Sequence, residues 1–346
     1  MKINLNQAID LLNNNQIIGI PTETVYGLAA RYDRKEAIQK IFETKERPES
    51  NPLIIHIGNS DPLGDLKKLV LDIPAYVPEL IKNFWPGPLT MVFYKKPLID
   101  DLITAGQNTV GIRMPQHPLT LELINQLGAA LVAPSANKFC KLSPTSAAEV
   151  ESALGSKLPV LDGGPCSVGI ESTIVSVLNH DRLDILRPGM ITAETLSQIT
   201  GLPCHESFKN TQAHQQSSIK TPGAYLVHYA PNKPLFLINS AYQNNPKDFL
   251  NFLEKILKKI GPDKKFYYLT FQKKDFLSQE NITQIITPQT PTAYAEKLYS
   301  LLHQADRSEN HQAILIDLPP EKSEWQGIEN RLMKAGILPS GFLSFL

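Results

Sequence analysis

The chain of 346 residues is expected to be an α/β protein. A twisted mixed sheet with helices comes first, then a smaller Rossmann-like α/β domain. Three observations predict this. Segments of strand and helix character alternate along most of the sequence. The alternation breaks once, near 205–222, in the polar stretch HESFKNTQAHQQSSIKTPG, and then resumes. The length exceeds what one ordinary hydrophobic core organises.

The elements follow in order. Residues 5–14 have an amphipathic helical pattern, QIIGIPT (16–22) is a short strand, and ETVYGLAA follows it. A helix from about Arg34 to Glu43 leads to the strand LIIHI (53–57), bounded by Pro52 and Gly58. Helices near 74–83 and 118–127 alternate with strands at 89–94, 109–114 and 129–133. IESTIVSVL (170–178) and RLDILR (182–187) read as a hairpin turning through NHD. Beyond the break, KPLFLINS, KFYYLTF and AILIDLPP read as strands. DFLNFLEKILKKI, TAYAEKLYSLLHQAD and WQGIENRLMKAG read as helices. Together they suggest a small, mostly parallel sheet. It lacks GxGxxG, so no nucleotide is assigned to it.

Composition narrows the function classes. Hydrophobic residues make up 42% and charged residues 20%, as in a soluble globular protein. Lys+Arg and Asp+Glu number 34 each, so no global field steers the chain to nucleic acid or membrane. Cys140, Cys166 and Cys204 show no CxxC spacing, which argues for a reducing compartment and against a zinc site. The start, MKINLNQAIDLLNN, does not read as a signal peptide, and no apolar run has membrane-spanning length. A cytoplasmic location is expected. Walker A, HExxH and GxSxG motifs are missing. The loop LDGGPCSVG (161–169) is read as holding a small buried Cys166 rather than a thiol nucleophile.

Polar and cationic residues gather at five strand ends. Lys45 and Arg47 follow the helix of 34–43, and Pro48 stops that helix from continuing. An ammonium and a guanidinium in one loop suit a polyphosphate, although a solvated surface pair has the same sequence. In the strand 53–57, Leu53, Ile55 and Ile57 share one face and Ile54 and His56 the other. His56 is therefore either a core residue or a ligand. In TVGIRMP, Val110, Ile112 and Met114 face one way, Thr109, Gly111 and Arg113 the other. A buried Arg113 requires an anionic partner, from a protein carboxylate or a ligand. After Ala133-Pro134, Ser135, Asn137 and Ser143 offer hydroxyl and amide groups, with a helix cap as the alternative for Ser-Ala-Asn. Ser172-Thr173 and Arg187 form a fourth group. PTETVYGLAA (21–30) adds Thr22, Glu23, Thr24 and Tyr26. Five such ends describe a pocket for a polyanion and a small zwitterion.

The motifs PTETVYGL, KERPESNPLIIHI, WPGPLT, TVGIRMP, APSAN and ESTIV…LRPG, in this order, closely resemble the YrdC-type threonylcarbamoyl-AMP synthases. HYAP (228–231) and IENRLMKA (328–335) resemble the long two-domain form. The resemblance implies a YrdC-like catalytic domain over 1–205, a linker and active-site lid over 206–232, and the Rossmann-like domain over 233–346. It implies synthesis of threonylcarbamoyl-adenylate and pyrophosphate from L-threonine, bicarbonate and ATP, with Mg2+. The product would pass to a tRNA threonylcarbamoyl transferase complex for modification next to the anticodon, tRNA contact being optional and a membrane not involved.

By motif, Lys45, Arg47, Asn51, Thr109, Ser135, Asn137, Ser143 and Arg187 would bind ATP. Thr24, His56, Arg113, Ala133 and Thr173 would hold L-threonine, with Arg113 on its carboxylate. Tyr225, His228 and Tyr229 would belong to the lid, and no side-chain metal ligands are identifiable. The family's PGMKYRHYAP reads PGAYLVHYAP here (222–231), so Tyr225 and Val227 replace Lys and Arg. A lid role predicts that cutting the chain near residue 215 lowers activity, and a fully active 1–205 fragment would refute it. Two other readings are an RNA-binding module without turnover and the carbamoyl-adenylate chemistry of a related maturation factor.

Overall fold

Period-two patterning sets the centre of the first sheet. In the computed structural model, Leu53, Ile55 and Ile57 enter one core together with Val110, Ile112 and Met114, as the alternation requires. Ile54 lies in a separate small apolar cluster with Val92, Ile174 and Leu186, on the face shared with His56 and Arg113. The structure describes all residues except 210–218, 220, 224–226, 244, 262–263, 276, 278–280 and 340–346, and no side chains at 259–260. Thirteen of the 27 residues of the expected linker, 206–232, thus lie outside the described residues.

The chain divides into two units, Met1–Phe139 with Ser143–Ala224, and Cys140–Leu142 with Tyr225–Leu346. The strands of the first are β1 (Lys2–Ile3), β2 (Ile18–Ile20), β3 (Gly27–Arg31), β4 (Ile54–His56), β5 (Leu89–Tyr94) and β6 (Thr109–Arg113). They continue with β7 (Leu131–Val132), β8 (Val160–Leu161), β9 (Thr173–Ser176), β10 (Leu183–Arg187) and β11 (Cys204–Glu206). Their order in one eleven-stranded sheet is β1-β8-β2-β3-β7-β4-β6-β5-β9-β10-β11. β4 and β6 run parallel and β5 antiparallel to β6, so the sheet is mixed, as expected.

Among the short helices that were not anticipated are Pro62–Leu69, Ala147–Leu154 and Ala193–Thr200. Each has eight residues, too few for a clear period, but each starts on a side-chain cap, Asp61, Ser146 and Thr192. The helix expected to end at Glu43 runs Lys35–Lys45 and stops at Glu46, which is left-handed at φ 53°. Lys45 therefore belongs to the last helical turn rather than to the loop. Its buried residues Ile38, Ile41, Phe42 and Lys45 follow the helical period, so Lys45 lies on the inward stripe.

The second unit has four parallel strands, β12 (Leu235–Ile238), β13 (Lys265–Thr270), β14 (Ile282–Ile286) and β15 (His311–Asp317), in the order β12-β15-β13-β14. Helices Pro246–Ile260, Pro291–Arg307 and Gln326–Ala335 accompany them. β14 is an edge strand with partly exposed residues, which explains why its sequence lacks a strand-like apolar run. The carboxylate of Asp317, buried at the end of β15, accepts bonds from Tyr268 (2.6 Å), Thr270 (2.7 Å) and the Phe271 amide (3.2 Å). No helix among the described residues is long and apolar enough to cross a membrane.

Candidate active site

The sequence leaves Lys45 and Arg47 open to a surface reading, and burial removes it. Lys45 is 1% exposed and Arg47 7%. The Lys45 ammonium donates to the carbonyls of Ser135 (2.5 Å) and Asn137. It thereby fixes the turn after β7, where Ser135 also bridges to Gly27. Arg47 donates from Nε to the Asn51 carbonyl (3.2 Å) and from Nη2 to the Pro52 carbonyl (2.8 Å), shaping the loop into β4. No helix starts at Ser-Ala-Asn; the next begins at Ala147 with Ser146 as its cap, so the helix-cap reading of 135–137 falls. The Asn137 amide instead donates to the Lys138 carbonyl at 2.7 Å.

Asn51 lies in the same loop, 1% exposed, and neither its carbonyl oxygen nor its amide nitrogen has a partner. Leaving such a group unpaired costs about 1–3 kcal/mol. A ligand with phosphate oxygens and hydroxyls would satisfy both ends. Asn51→Leu is therefore expected to stabilise the ATP-free protein by about 1 kcal/mol while weakening ATP binding. Denaturant melts with and without ATP check both halves.

On the neighbouring strands, β4 and β6 pair His56 directly with Arg113. Arg113 is 4% exposed and meets a protein carboxylate, Glu23, at 2.6 Å. Its Nη1 donates to Thr24 (2.9 Å) and its Nε to the Gly87 carbonyl (3.2 Å). The loop 21–26 is held in turn by Thr22, whose hydroxyl lies 2.9 Å from that of Thr24. Ala133 continues β7, and its amide donates to the Ile54 carbonyl.

His56, 3% exposed, donates from Nδ1 to the Ile54 carbonyl at 3.2 Å, since a carbonyl can only accept. Burial first, and the Arg113 charge second, push its pKa down to about 3. The ring is neutral at working pH, and Nε2 carries the lone pair. Below pH 6.5 the unfolded chain takes up a proton at His56 that the folded chain refuses. Stability is thus full above about 6.5 and is lost as pH falls toward 3, by at most about 1.4 kcal/mol per pH unit. His56→Gln is expected to flatten the stability–pH curve between pH 6 and 4, measured by urea unfolding.

The β9–β10 hairpin completes the constellation. Strict alternation would send Arg187 to the core side with Leu183 and Ile185. A register shift between Ile185 and Arg187 breaks the alternation. Arg187, 6% exposed, donates to the Ser172 carbonyl (3.0 Å), the Ser172 hydroxyl (3.1 Å) and the Pro222 carbonyl (3.3 Å). The Ser172 hydroxyl also meets Thr90 at 2.8 Å. Thr173 exchanges bonds with the backbone of Ile191, and Ser143 donates to Glu171 at 2.5 Å. Thr109 and Thr90 line a narrow cavity of about 20 Å³ with Ile54, Ile174 and Pro222.

The first unit thus links Thr24 to Arg113, the register partner of His56, Lys45 to Ser135 and Asn137, and Arg187 to Ser172. A larger cavity of about 310 Å³, lined by Arg31, Asp33, Asp65 and Lys68 among others, shares no residue with this constellation. Its charges are paired among themselves, Arg31 with Asp33 and Lys68 with Asp65. Of the expected lid residues, Tyr225 lies outside the described residues. His228 and Tyr229 are buried; the His228 amide donates to the Lys334 carbonyl, and the Tyr229 ring sits 5.2 Å from the Arg331 guanidinium. Glu23 and Ser172 are among the polar residues read at the strand ends but were assigned no ligand, and Glu171 was not singled out from sequence. For Glu23 the signal was the requirement that a buried Arg113 have an anion.

Comparison with known proteins finds two family matches along the chain, meeting near residue 190 rather than at the boundary of the two units. Residues 10–189 match the family described as "Telomere recombination", and residues 191–336 the family described as "Threonylcarbamoyl-AMP synthase, C-terminal domain". The sequence is 36% identical over 331 residues to a Bacillus subtilis protein named threonylcarbamoyl-AMP synthase, covering 95% of this chain and 92% of that one. A Pyrococcus abyssi protein of the same name is 32% identical over 336 residues, covering 95% and 92%. The crystal structure of P. abyssi Sua5 complexed with L-threonine superposes with a TM-score of 0.82 at 31% identity, covering 97% of this chain and 96% of that one.

Proposed function

The chain belongs to the family of threonylcarbamoyl-AMP synthases, and from that premise we propose how its residues divide the work. The protein is an enzyme of the nucleotidyltransferase type, making threonylcarbamoyl-adenylate. L-Threonine, ATP and bicarbonate are the substrates that reaction requires. On the amino-acid side stand Thr24, His56, Arg113, Thr173 and the backbone at Ala133. On the nucleotide side stand Lys45, Arg47, Asn51, Thr109, Ser135, Asn137, Ser143 and Arg187. Mg2+ would arrive with the triphosphate, and the product would be handed to a tRNA-modifying transferase.

The chemistry asks for alignment and charge neutralisation. Threonine's nitrogen adds to CO2 or bicarbonate, giving a carbamate; bicarbonate also releases water. A carbamate oxygen then attacks the α-phosphorus of ATP, and the bond to the leaving pyrophosphate breaks. Negative charge builds on phosphate oxygens, which buried cations stabilise strongly in a low-dielectric site. A neutral His56 with its proton fixed on Nδ1 can accept a hydrogen bond at Nε2, but a pKa of about 3 makes it a poor proton acceptor.

The observation that carries this reading is the burial of Lys45, Arg47, Arg113 and Arg187, each 7% exposed or less, within one unit. Burying a cation is costly, and phosphate and carboxylate oxygens are the ligand groups that such cations stabilise best. The same burial weakens the RNA-binding reading, which needs cations displayed on a surface. Pyrophosphate release that requires both L-threonine and bicarbonate tests the proposal. ATP hydrolysis indifferent to either would overturn it.

A further inference from the structure

We propose that Glu23 is a positioning residue that holds Arg113 as a neutral pair and makes the amino-acid side select a zwitterion over a simple carboxylate. The proposal rests on the reading above and deepens it.

Glu23 is 2% exposed, and its Oε1 lies 2.6 Å from Arg113 Nη2. Its other oxygen accepts from the Gln116 amide at 3.0 Å, just past the end of β6. Its backbone carbonyl accepts from the Val168 amide at 2.7 Å. One residue therefore ties together the loop 21–26, the segment after β6 and the loop 161–169. The guanidinium is held from three directions, by Glu23, Thr24 and the Gly87 carbonyl. A planar fork so held presents its remaining N–H groups in a fixed orientation.

The pair also sets the charge of the pocket. A bare buried guanidinium would attract any carboxylate. With Glu23 behind it, the pair carries no net charge. An incoming carboxylate is attracted by Arg113 and repelled by Glu23, and the repulsion is weakly screened in a dry site. A ligand that brings an α-ammonium with its carboxylate is neutral overall and escapes most of that penalty. Discrimination thus arises from an element that disfavours the wrong ligand. L-Threonine meets the condition, and its analogue with a hydroxyl in place of the ammonium does not.

The test uses the full chain carrying Glu23→Gln, with pyrophosphate release and ATP calorimetry as readouts. The probe is L-threonine against 2,3-dihydroxybutanoate. The variant is expected to raise KM for threonine about tenfold, change kcat by less than about threefold and leave ATP affinity intact. The analogue, inert toward the native protein, is expected to inhibit the variant, lowering threonine-over-analogue selectivity at least about tenfold. Glu23→Asp keeps the charge and is expected to restore most of the selectivity. Selectivity unchanged in Glu23→Gln, with ATP still bound, overturns the proposal. If Glu23→Gln does not fold, Glu23→Asp decides: it keeps the charge and should still reject the analogue, so inhibition of Glu23→Asp by 2,3-dihydroxybutanoate then overturns the proposal. Native protein without threonine-dependent turnover would instead overturn the assignment of function, which separates the two failures.

Discussion

Replacing Arg113 by lysine is expected to lower threonine-dependent pyrophosphate release by about 100- to 1,000-fold, with ATP affinity changed less than about threefold. The native guanidinium reaches Gly87, Thr24 and Glu23 from Nε, Nη1 and Nη2. A lysine has one nitrogen at the end of a flexible stem and cannot hold all three. It keeps the positive charge beside Glu23, so the fold should survive at a cost of about 1–3 kcal/mol. Arg113→Met removes the charge and leaves Glu23 buried without a counter-ion, which should cost about 3–5 kcal/mol. Steady-state kinetics in each substrate, with urea melts alongside, distinguish the two variants. A loss falling on ATP rather than threonine would show that Arg113 serves the nucleotide.

Lys45→Met should act on the other substrate, lowering kcat/KM for ATP by about 100- to 1,000-fold and leaving KM for threonine within about threefold. Two effects combine. The ammonium is one of the buried cations assigned to phosphate, and it also anchors the Ser135 and Asn137 carbonyls. Methionine fills much the same volume, so the helix Lys35–Lys45 keeps its inward stripe while the turn after β7 loses its tie. Calorimetric titration with a non-hydrolysable ATP analogue reads the loss directly. Wild-type affinity in the variant would remove Lys45 from the nucleotide side.

How far the site can be read from sequence differs from residue to residue. His56 and Arg113 were legible because period two in a strand dictates which face each side chain takes. Both lie opposite an apolar face that buries Ile55 and Ile112 in the core. Lys45 was half legible. Its neighbourhood to Arg47 was visible, but the helix end was placed two residues early, because helix boundaries depend on capping geometry. The stripe of Ile38, Ile41 and Phe42 would have shown that Lys45 points inward.

Arg187 was named from its motif, but its direction was not readable from it. The strand period aims it at the core, and only the register shift beside Ile185 turns it toward Ser172. Its partners are fifteen and thirty-five residues away along the chain. Glu23 poses the same problem at greater distance: the demand for an anion followed from electrostatics, but its identity did not.

What the sequence alone determined was local: the α/β alternation, the two-sided patterning of β4 and β6, and the residue types able to hold a polyanion beside an amino acid. Tertiary structure decided which of those residues meet. It closed Glu23 on Arg113 across ninety positions, set Lys45 under the turn at Ser135, and left Asn51 buried with both ends unpaired. The reason is physical. Periodicity and propensity act over a few residues, whereas burial of charge is settled by partners that chain packing brings together from far apart in the sequence.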